Sequence, residues 1–488
     1  MPTPRSSLIS LLAVCVALAA GAPAALASRN QTVFFEAGQV LFEPHRREHA
    51  IAQMRHLGVH ALRVELYWSW VAPASGSSRR PKLEATSPGA YNWTLYDWVL
   101  NRAKELKWPV LLTVTAPVPK WASANHTSLG SPNAKDFEEF MTAVARHYGA
   151  EVSLFAIWNE PNDIAFLQPQ FTASGQPASP RLYRALYQDG YAGLKAGGLA
   201  HPRVLMGETA PIGFDSLSAS YIRETGGVRH GGLLHDVAPL TFLRDSLCLD
   251  SHYHRSGGCE ALPATGYSTH AYTNKLGPLW HPPESDDVTI GVLSRLEAAL
   301  DRAARAGAIS SGLPLYLTEF GVQSTPNRYL GVSPAKQAEE DALAEYIAWR
   351  NPRVAAFSQY LLHDDPTGGP PGSSVHGGTV GFQTGLELVN GSPKPLYFSW
   401  PLPLLVTRAG RGFSLWGLVR PASGATRVTV LVRPRGSRRF RVLRSAPTES
   451  LGYWSFTSST AGVAWKVRWS GPGGAKYEGP PIGVSPAP

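Results

Sequence analysis

Short apolar runs alternate with amphipathic helical patterns along most of the chain. The apolar runs have the length and the β-branched content of strands, and the intervals between them leave room for helices. They predict strands at residues 33–35, 61–66, 110–114, 154–158, 204–207, 267–270, 315–318 and 354–360. Apolar residues three and four positions apart predict helices at residues 48–57, 95–106, 135–148, 182–196, 293–306 and 336–349.

Eight strands alternating with helices predict an α/β fold, a (β/α)₈ TIM barrel with long loops. An open, doubly wound sheet is the structural alternative. However, no Gly-rich phosphate loop follows the first predicted strand, residues 33–35.

The pattern changes after Pro401, where turn signals separate strand-like runs and the helical period is lost. This change predicts a small C-terminal all-β sandwich of about immunoglobulin-like size. The expected organisation is a signal peptide at residues 1–27, a catalytic barrel at 28–400 and the sandwich at 401–488. The strands of the sandwich are predicted at residues 413–419, 427–433, 439–445, 453–457 and 464–469.

The N-terminus has the pattern of a secretory leader. Arg5 precedes an apolar stretch at residues 8–20, and the small residues Ala25 and Ala27 mark a cleavage site. No later run approaches the roughly 20 apolar residues of a membrane-spanning helix. We therefore expect a secreted, extracellular protein without a transmembrane segment.

Two cysteines remain after the leader, which contains Cys15. Because an exported protein meets an oxidising environment, Cys248 and Cys259 are expected to form a disulfide. A zinc site that includes His252 and His254 is the alternative, although regular spacing such as C-x-x-C is absent. No metal and no cofactor are otherwise expected.

The C-terminal part is strongly basic. From Arg408 onward there are 13 Lys and Arg residues against two acids, Glu449 and Glu478. Such a surface can attract an anionic polymer or the cell envelope, or it can be a solvated face that keeps the protein soluble. Nucleic acid is a weaker candidate because no recognisable nucleic-acid module accompanies the charge.

Two glutamates stand at the ends of predicted strands, where barrel enzymes carry their chemistry. Glu160 follows the fourth strand in the string AIWNEPN, and Glu319 follows the seventh in LYLTEFG. Retaining glycoside hydrolysis needs one carboxylic acid as proton donor and one carboxylate as nucleophile, about 5–5.5 Å apart. Burial would raise the pKa of the acid, and a nearby arginine would keep the nucleophile ionised.

The strings WNEPN and TEFG and their strand positions resemble the clan A, or 4/7, glycoside hydrolases, nearest to the family 39 and family 5 cellulase-like groups. The resemblance covers residues 32–400. It implies that Glu160 is the acid/base, that Glu319 is the nucleophile and that Asn159 holds the sugar 2-hydroxyl.

The same resemblance assigns a supporting layer around the nucleophile. His270 and Tyr272 match the sixth-strand pair that supports the nucleophile and lines the sugar site, and Arg63 matches the second-strand arginine beside it. The eighth strand lacks the usual tryptophan platform, so Gln359 or Tyr360 is expected to substitute for it.

Each assignment has a structural alternative. His270 could be a core histidine with its hydrogen bonds satisfied, and Arg63 could form an internal salt bridge to Glu65 or another neighbour. Glu36, Glu65 and Glu208 also lie near strand ends, and we expect them to be structural acids that only mimic catalytic ones.

Aromatic rings bind the apolar C–H faces of sugars. Trp68 follows the second strand and Trp121 follows the third, so both are expected to line sugar subsites.

The sequence therefore predicts a secreted retaining β-glycosidase that acts on a carbohydrate substrate through a covalent glycosyl-enzyme. A transglycosylase that uses the same site is one alternative. A non-catalytic carbohydrate-binding envelope protein is another, since fold alone does not establish function. The sugar, its linkage and exo or endo action stay open.

Overall fold

The computed structural model describes residues 31–218, 220, 236–366 and 381–488. The predicted signal peptide, residues 1–27, lies outside the described residues. Eight parallel strands close into a barrel in the order in which they occur in the chain, which confirms the predicted (β/α)₈ fold. The strands are β1 (Thr32–Glu36), β2 (Leu62–Tyr67), β3 (Val110–Thr115), β4 (Leu154–Ile157), β5 (Val204–Thr209), β6 (Gly266–Thr269), β7 (Leu315–Leu317) and β8 (Val354–Tyr360).

The six predicted helices are present, with ends that differ from the prediction by at most three residues. Three shorter helices, α2, α6 and α9, were not predicted. The helices are α1 (Arg47–Leu57), α2 (Trp68–Val71), α3 (Thr94–Leu106), α4 (Ala134–Tyr148), α5 (Ser179–Ala196), α6 (Pro239–Ser246), α7 (Leu293–Arg305), α8 (Pro334–Arg350) and α9 (Pro395–Ser399).

The inside of the barrel changes from apolar to charged along β1 and β2. Because side chains alternate in a strand, residues two apart share a face. Phe34 packs in a small interior cluster, and Glu36 follows it on the same face of β1. Ala61, immediately before β2, is an interior residue, and Arg63 and Glu65 follow it on β2. The charged layer therefore lies at the C-terminal ends of the strands.

The C-terminal part forms two antiparallel sheets, in the strand orders β13-β10-β9 and β12-β11-β14-β15. Their facing side chains share one apolar core, as expected for a small all-β unit. β9 and β15 were not predicted, and the immunoglobulin-like type stays a prediction. The strands are β9 (Leu404–Ala409), β10 (Gly412–Leu418), β11 (Arg427–Arg433), β12 (Arg441–Pro447), β13 (Tyr453–Ser458), β14 (Ala464–Ser470) and β15 (Lys476–Glu478).

Cys248 and Cys259 form the predicted disulfide. Their sulfur atoms are therefore not zinc ligands, which removes the alternative that included His252 and His254. Among the described residues, every helix falls short of the length and apolar character that a membrane crossing requires.

The barrel and the C-terminal sheets meet along α8. Leu343 packs against Trp416 and Tyr453 in a shared apolar cluster. Beside it Arg420 donates a hydrogen bond to the buried carboxylate of Glu345 and lies 3.9 Å from the ring centre of Trp400. This contact combines apolar packing with a buried ion pair.

A second buried acid of α8, Asp341, lies close to this ion pair. The side chain is 2% exposed, and its Oδ1 has no hydrogen-bond partner among the described residues. Burial, reinforced by the negative charge of Glu345, raises the pKa of Asp341 to about 7, and Arg420 opposes the rise. Because the folded protein holds this proton more tightly than the unfolded chain does, stability falls as the pH rises from about 4 to about 7.

Asp341→Asn is expected to raise the free energy of unfolding at pH 8 by about 1–3 kcal/mol, because it removes a buried charge that wild type must carry. At pH 4 the two proteins should be nearly equal. Urea unfolding at both pH values measures the difference. Glu339→Gln, at an exposed position of the same helix, is the control. An unchanged pH dependence in Asp341→Asn would contradict the account.

Candidate active site

The guanidinium of Arg63 lies at the centre of the charged layer and has no exposed side-chain surface. Nη1 donates to Glu36 and to Oε1 of Glu319, at 2.7 Å for the latter. Nη2 donates to Oδ1 of Asn159 at 2.7 Å and to Oε2 of Glu208 at 2.9 Å, and Nε donates to Oε1 of Glu208 at 3.3 Å. Arg63 therefore lies beside Glu319, as predicted. Its N–H donors are all engaged by these side chains, so Arg63 positions them and has no exposed donor for a sugar.

Glu160 and Glu319 face each other across a short gap. Ligand atoms of Glu160, Glu319 and His270 all lie within 4.8 Å of one another. His270 Nδ1 is 2.8 Å from Oε1 of Glu160 and 3.5 Å from Oε2 of Glu319. The hydroxyl of Tyr272 donates to the same Oε2 of Glu319 at 2.9 Å. The structure thus brings together four of the predicted site residues around one small volume.

The turn that carries Glu160 breaks the strand alternation. Ala156 packs inside the barrel, but Trp158 packs outward, with its ring 5.6 Å from that of Phe137 on α4. Trp158 and Glu160 both have left-handed backbone conformations, with φ of 73° and 38°. Each such conformation costs about 1–3 kcal/mol and persists only where the surroundings enforce it.

Asn162 helps to hold this backbone conformation through its side-chain hydrogen bonds. Its carboxamide nitrogen donates to the backbone oxygens of Ala210 and Val237, and its oxygen accepts from the backbone N–H of Ala210. The backbone N–H of Glu160 donates to the backbone oxygen of Glu208 at 2.9 Å. The turn after β4 is therefore fastened to the end of β5, which fixes the position of the Glu160 carboxylate.

Glu208 reaches Arg63 through an irregularity in β5. The register with β6 shifts between Gly207 and Thr209, and Glu208 itself has a φ of 52°. A bulge of this kind redirects a side chain that would otherwise point to the other face. As a result Glu208 forms a two-point ion pair with Arg63 while only 1% exposed.

The electrostatics differ from the sequence-based expectation for the nucleophile. Burial raises the pKa of Glu319 to about 7, even though the nearby His270 and Arg63 both favour its charged form. Burial also lowers the pKa of His270, whose Nδ1 forms a hydrogen bond with Oε1 of Glu160. Arg63 opposes the rise in the pKa of Glu319, as expected for an arginine beside the nucleophile, but desolvation outweighs the guanidinium.

The acids that were expected to be structural lie in this site as well. Glu36 and Glu65 are 6% and 8% exposed at the ends of neighbouring strands. Oε2 of Glu65 accepts from Tyr67, whereas its Oε1 is 3.9 Å from Arg63 and has no hydrogen-bond partner in the described part of the chain. Burial raises the pKa of both carboxyls. Their strand-end positions were the only sequence signal for this placement.

The prediction that Trp68 lines a sugar subsite is wrong. Its indole is fully buried and stacks on Phe140 of α4, with ring centres 5.1 Å apart. Trp121 packs edge-on against Trp68 and donates its indole N–H to the backbone oxygen of Pro73, which leaves it 7% exposed. The structure therefore places both rings in the core, and a sugar contact for Trp121 stays a prediction.

The prediction that Gln359 replaces the eighth-strand tryptophan is also wrong. Gln359 is 1% exposed and donates to the backbone oxygens of Leu361 and Thr384. The next residue, Tyr360, approaches Tyr272 instead, with 6.5 Å between ring centres. Of the two candidates named for this position, Tyr360 is the one beside the site.

One group of side chains has the composition of a metal site. The ligand atoms of Glu160, His270 and Glu319 are close enough to coordinate a single ion. However, the guanidinium of Arg63 hydrogen-bonds to Glu319, and a fixed positive charge beside a cation is unfavourable. The donor set therefore suits proton transfer better than cation binding.

No protein-family model matches the chain. No curated protein matches it either. Among solved structures, the chain resembles a glucosidase from Croceicoccus marinus at 12% identity and a TM-score of 0.52, over 91% of this chain and 95% of that one. A β-glucosidase from Pyrococcus furiosus aligns at 14% identity and a TM-score of 0.45, over 74% and 83%. Xylanase 10B from Thermotoga petrophila aligns at 14% identity and a TM-score of 0.41, over 76% and 92%. At these identities the similarity to the Croceicoccus enzyme establishes the shared barrel fold.

Proposed function

We propose that this protein is a retaining β-glycoside hydrolase. The observation that carries the proposal is the close approach of Glu160 and Glu319, whose nearest oxygens lie within 4.8 Å. Inverting enzymes separate their carboxyl groups by about 6.5–9.5 Å to admit a water molecule, whereas retaining enzymes keep them near 5 Å. The similarity in fold to a glucosidase agrees with this chemistry.

In the first step the ionised Glu319 attacks the anomeric carbon while Glu160 gives its proton to the departing glycosidic oxygen. This step forms a glycosyl-ester bond to Glu319 and breaks the glycosidic bond. In the second step Glu160, now ionised, takes a proton from water, and the water oxygen displaces Glu319 from the sugar. The configuration at the anomeric carbon is retained after two inversions.

The neighbouring side chains prepare the two carboxylates for these roles. Arg63 and Tyr272 each donate to one oxygen of Glu319, which fixes its plane and stabilises its charge. His270 hydrogen-bonds to Glu160 and holds it beside the gap. Because the oxygen of Asn159 is held by Arg63, its amide N–H groups are the donors available for a sugar 2-hydroxyl.

We also propose that the protein is exported by its leader and that residues 28–400 contain all the catalytic groups. The basic residues 401–488 would then support the barrel through α8 and contact an anionic polymer or envelope surface. The described acids of that segment, Glu449 and Glu478, lie outside the Arg63 cluster, and Glu478 pairs with Lys466 and Arg468.

Glu160→Ala and Glu319→Ala are each expected to lower turnover of an aryl β-glycoside by about 100-fold or more, because each removes a group that acts in the transition state. Azide should restore turnover of both variants with different products. Glu160→Ala should give the β-glycosyl azide, since azide attacks the glycosyl-enzyme, and Glu319→Ala should give the α-azide. NMR spectroscopy identifies the anomer.

Glu208→Gln is not a suitable control, because it breaks a buried ion pair. Glu449→Ala, in the C-terminal segment, is the matched loss of a carboxylate and should keep wild-type turnover. Exchanged anomers would reverse the two roles, and normal turnover in either active-site variant would refute the proposal.

The pH dependence of kcat/KM is expected to be bell-shaped, with activity lost as the pH falls through about 7, because Glu319 must be ionised to attack. Tyr272→Phe removes a hydrogen bond that favours the ionised form, so the acidic limb should move to higher pH and kcat/KM should fall about tenfold. Tyr187→Phe, which loses a buried hydroxyl bonded to Pro263, should leave the limb in place. A limb that moves equally in both variants would contradict the role of Tyr272.

A further inference from the structure

The hairpin formed by β11 and β12 concentrates positive charge. Residues 433–444 contain six arginines and no acidic residue. They are Arg433, Arg435, Arg438, Arg439, Arg441 and Arg444. In the part of the chain that the structure describes, none of the six forms an ion pair, whereas Lys466 and Arg468 on β14 are both paired with Glu478. The positive charge of the hairpin is therefore not neutralised by ion pairs with the described acids.

The strand β12 is largely exposed to solvent. It lies at the edge of its sheet, so within the described part of the chain no strand pairs with one side of its backbone. Ala446 is the one residue of this strand that is buried, and Val442 is 63% exposed. Most of the strand thus contributes surface and not core.

Aromatic rings hold part of the charge in place without neutralising it. The guanidinium of Arg433 and the ammonium of Lys466 lie over the ring of Phe440, at 5.9 Å and 4.7 Å. Arg444 lies 4.9 Å from the ring centre of Phe456 on β13. Cation–π contacts of this kind orient the side chains and leave their N–H groups as donors.

We propose that the arginine hairpin, residues 433–444, is a binding site for an acidic polysaccharide. A guanidinium presents a planar fork that matches a carboxylate in two-point geometry, and all the cations of this hairpin are arginine, not lysine. Arg441 and Arg444 stand opposite Val432 and Val430 of β11 across a register shift, so they are about 7 Å apart along the strand, because a strand advances about 3.3 Å per residue. A row of charges suits an extended polymer with repeated carboxylates. The choice of a polysaccharide as the partner rests on the proposed glycosidase function. The recognition of carboxylates is independent of that function, because it rests on the arginines alone.

Two other anionic partners fit the hairpin less well. Single-stranded nucleic acid needs exposed rings on which bases stack, but Phe440 is half-buried beneath two cations. A lipid surface is bound through apolar area as well as charge, and Val442 is the one large apolar side chain of the hairpin that is strongly exposed.

The test measures binding of the full chain to polygalacturonate by isothermal titration calorimetry, in the Glu319→Gln background so that the heat reports binding without any contribution from turnover. Polygalacturonate with fully methyl-esterified carboxyls is the uncharged comparison with the same backbone. We expect binding to polygalacturonate that weakens steeply as salt rises from about 0.05 M to about 0.5 M, and no binding to the ester. Equal binding to both polymers would overturn the proposal.

Replacing Arg435, Arg438, Arg439 and Arg441 with serine is expected to weaken binding about tenfold or more, and lysine at the same positions should restore only part of the affinity. A control variant removes the same net charge from exposed, unpaired cations of the barrel and should lose less than about twofold. Its substitutions are Arg79→Ser, Arg181→Ser, Lys195→Ser and Arg305→Ser.

Three results would overturn the proposal. Equal losses in the two quadruple variants would show that net charge alone attracts the polymer. Tighter binding to DNA or to vesicles that contain phosphatidylglycerol would assign the hairpin to another partner. Self-association of the serine variant with unchanged polymer binding would show that the arginines only protect the edge of β12 from pairing with another chain. The binding experiment does not depend on turnover. The glycosidase proposal is tested separately, by measuring hydrolysis of aryl glycosides by the protein with Glu319 intact.

Discussion

The buried guanidinium of Arg63 is the interaction on which the site depends. A buried carboxylate is tolerated only where a positive charge or hydrogen bonds compensate the loss of water. Arg63 does this for Glu208 with two contacts and for Glu36 and Glu319 with one each. Removing it would leave several acids in an apolar surrounding, so the geometry of the nucleophile and the stability of the upper barrel are linked.

The barrel creates the conditions for this cluster through strand alternation. The inward faces carry apolar residues at one end, such as Phe34 and Leu111, and polar residues at the other. Strands that close side by side bring these ends together, so acids far apart in the chain converge on one guanidinium. Burial then raises the pKa of Glu319 to about 7, so this carboxyl takes the ionised form that a nucleophile needs only as the pH approaches neutrality.

The periodicity of the sequence was enough to predict the eight strands, the six long helices and the strand-end positions of Glu160 and Glu319. It was not enough where the backbone departs from regular geometry. The bulge in β5 turns Glu208 toward Arg63, and the left-handed Trp158 turns its ring outward, and neither is visible as a hydrophobic pattern. For the same reason Trp68 looked like a loop residue, although α2 carries it into the core against Phe140.

The central claim is that Glu319 forms a covalent bond to the sugar. The most direct test treats the protein with 2-deoxy-2-fluoro-β-glycosyl fluorides of gluco, galacto and xylo configuration and maps the labelled peptide by mass spectrometry. Since fluorine slows the hydrolysis of the intermediate, we expect one sugar per chain, attached to Glu319, with loss of activity at the same rate. A label on Glu160 or on another residue would contradict the account. So would an active enzyme that takes up no label and inverts the configuration at the anomeric carbon.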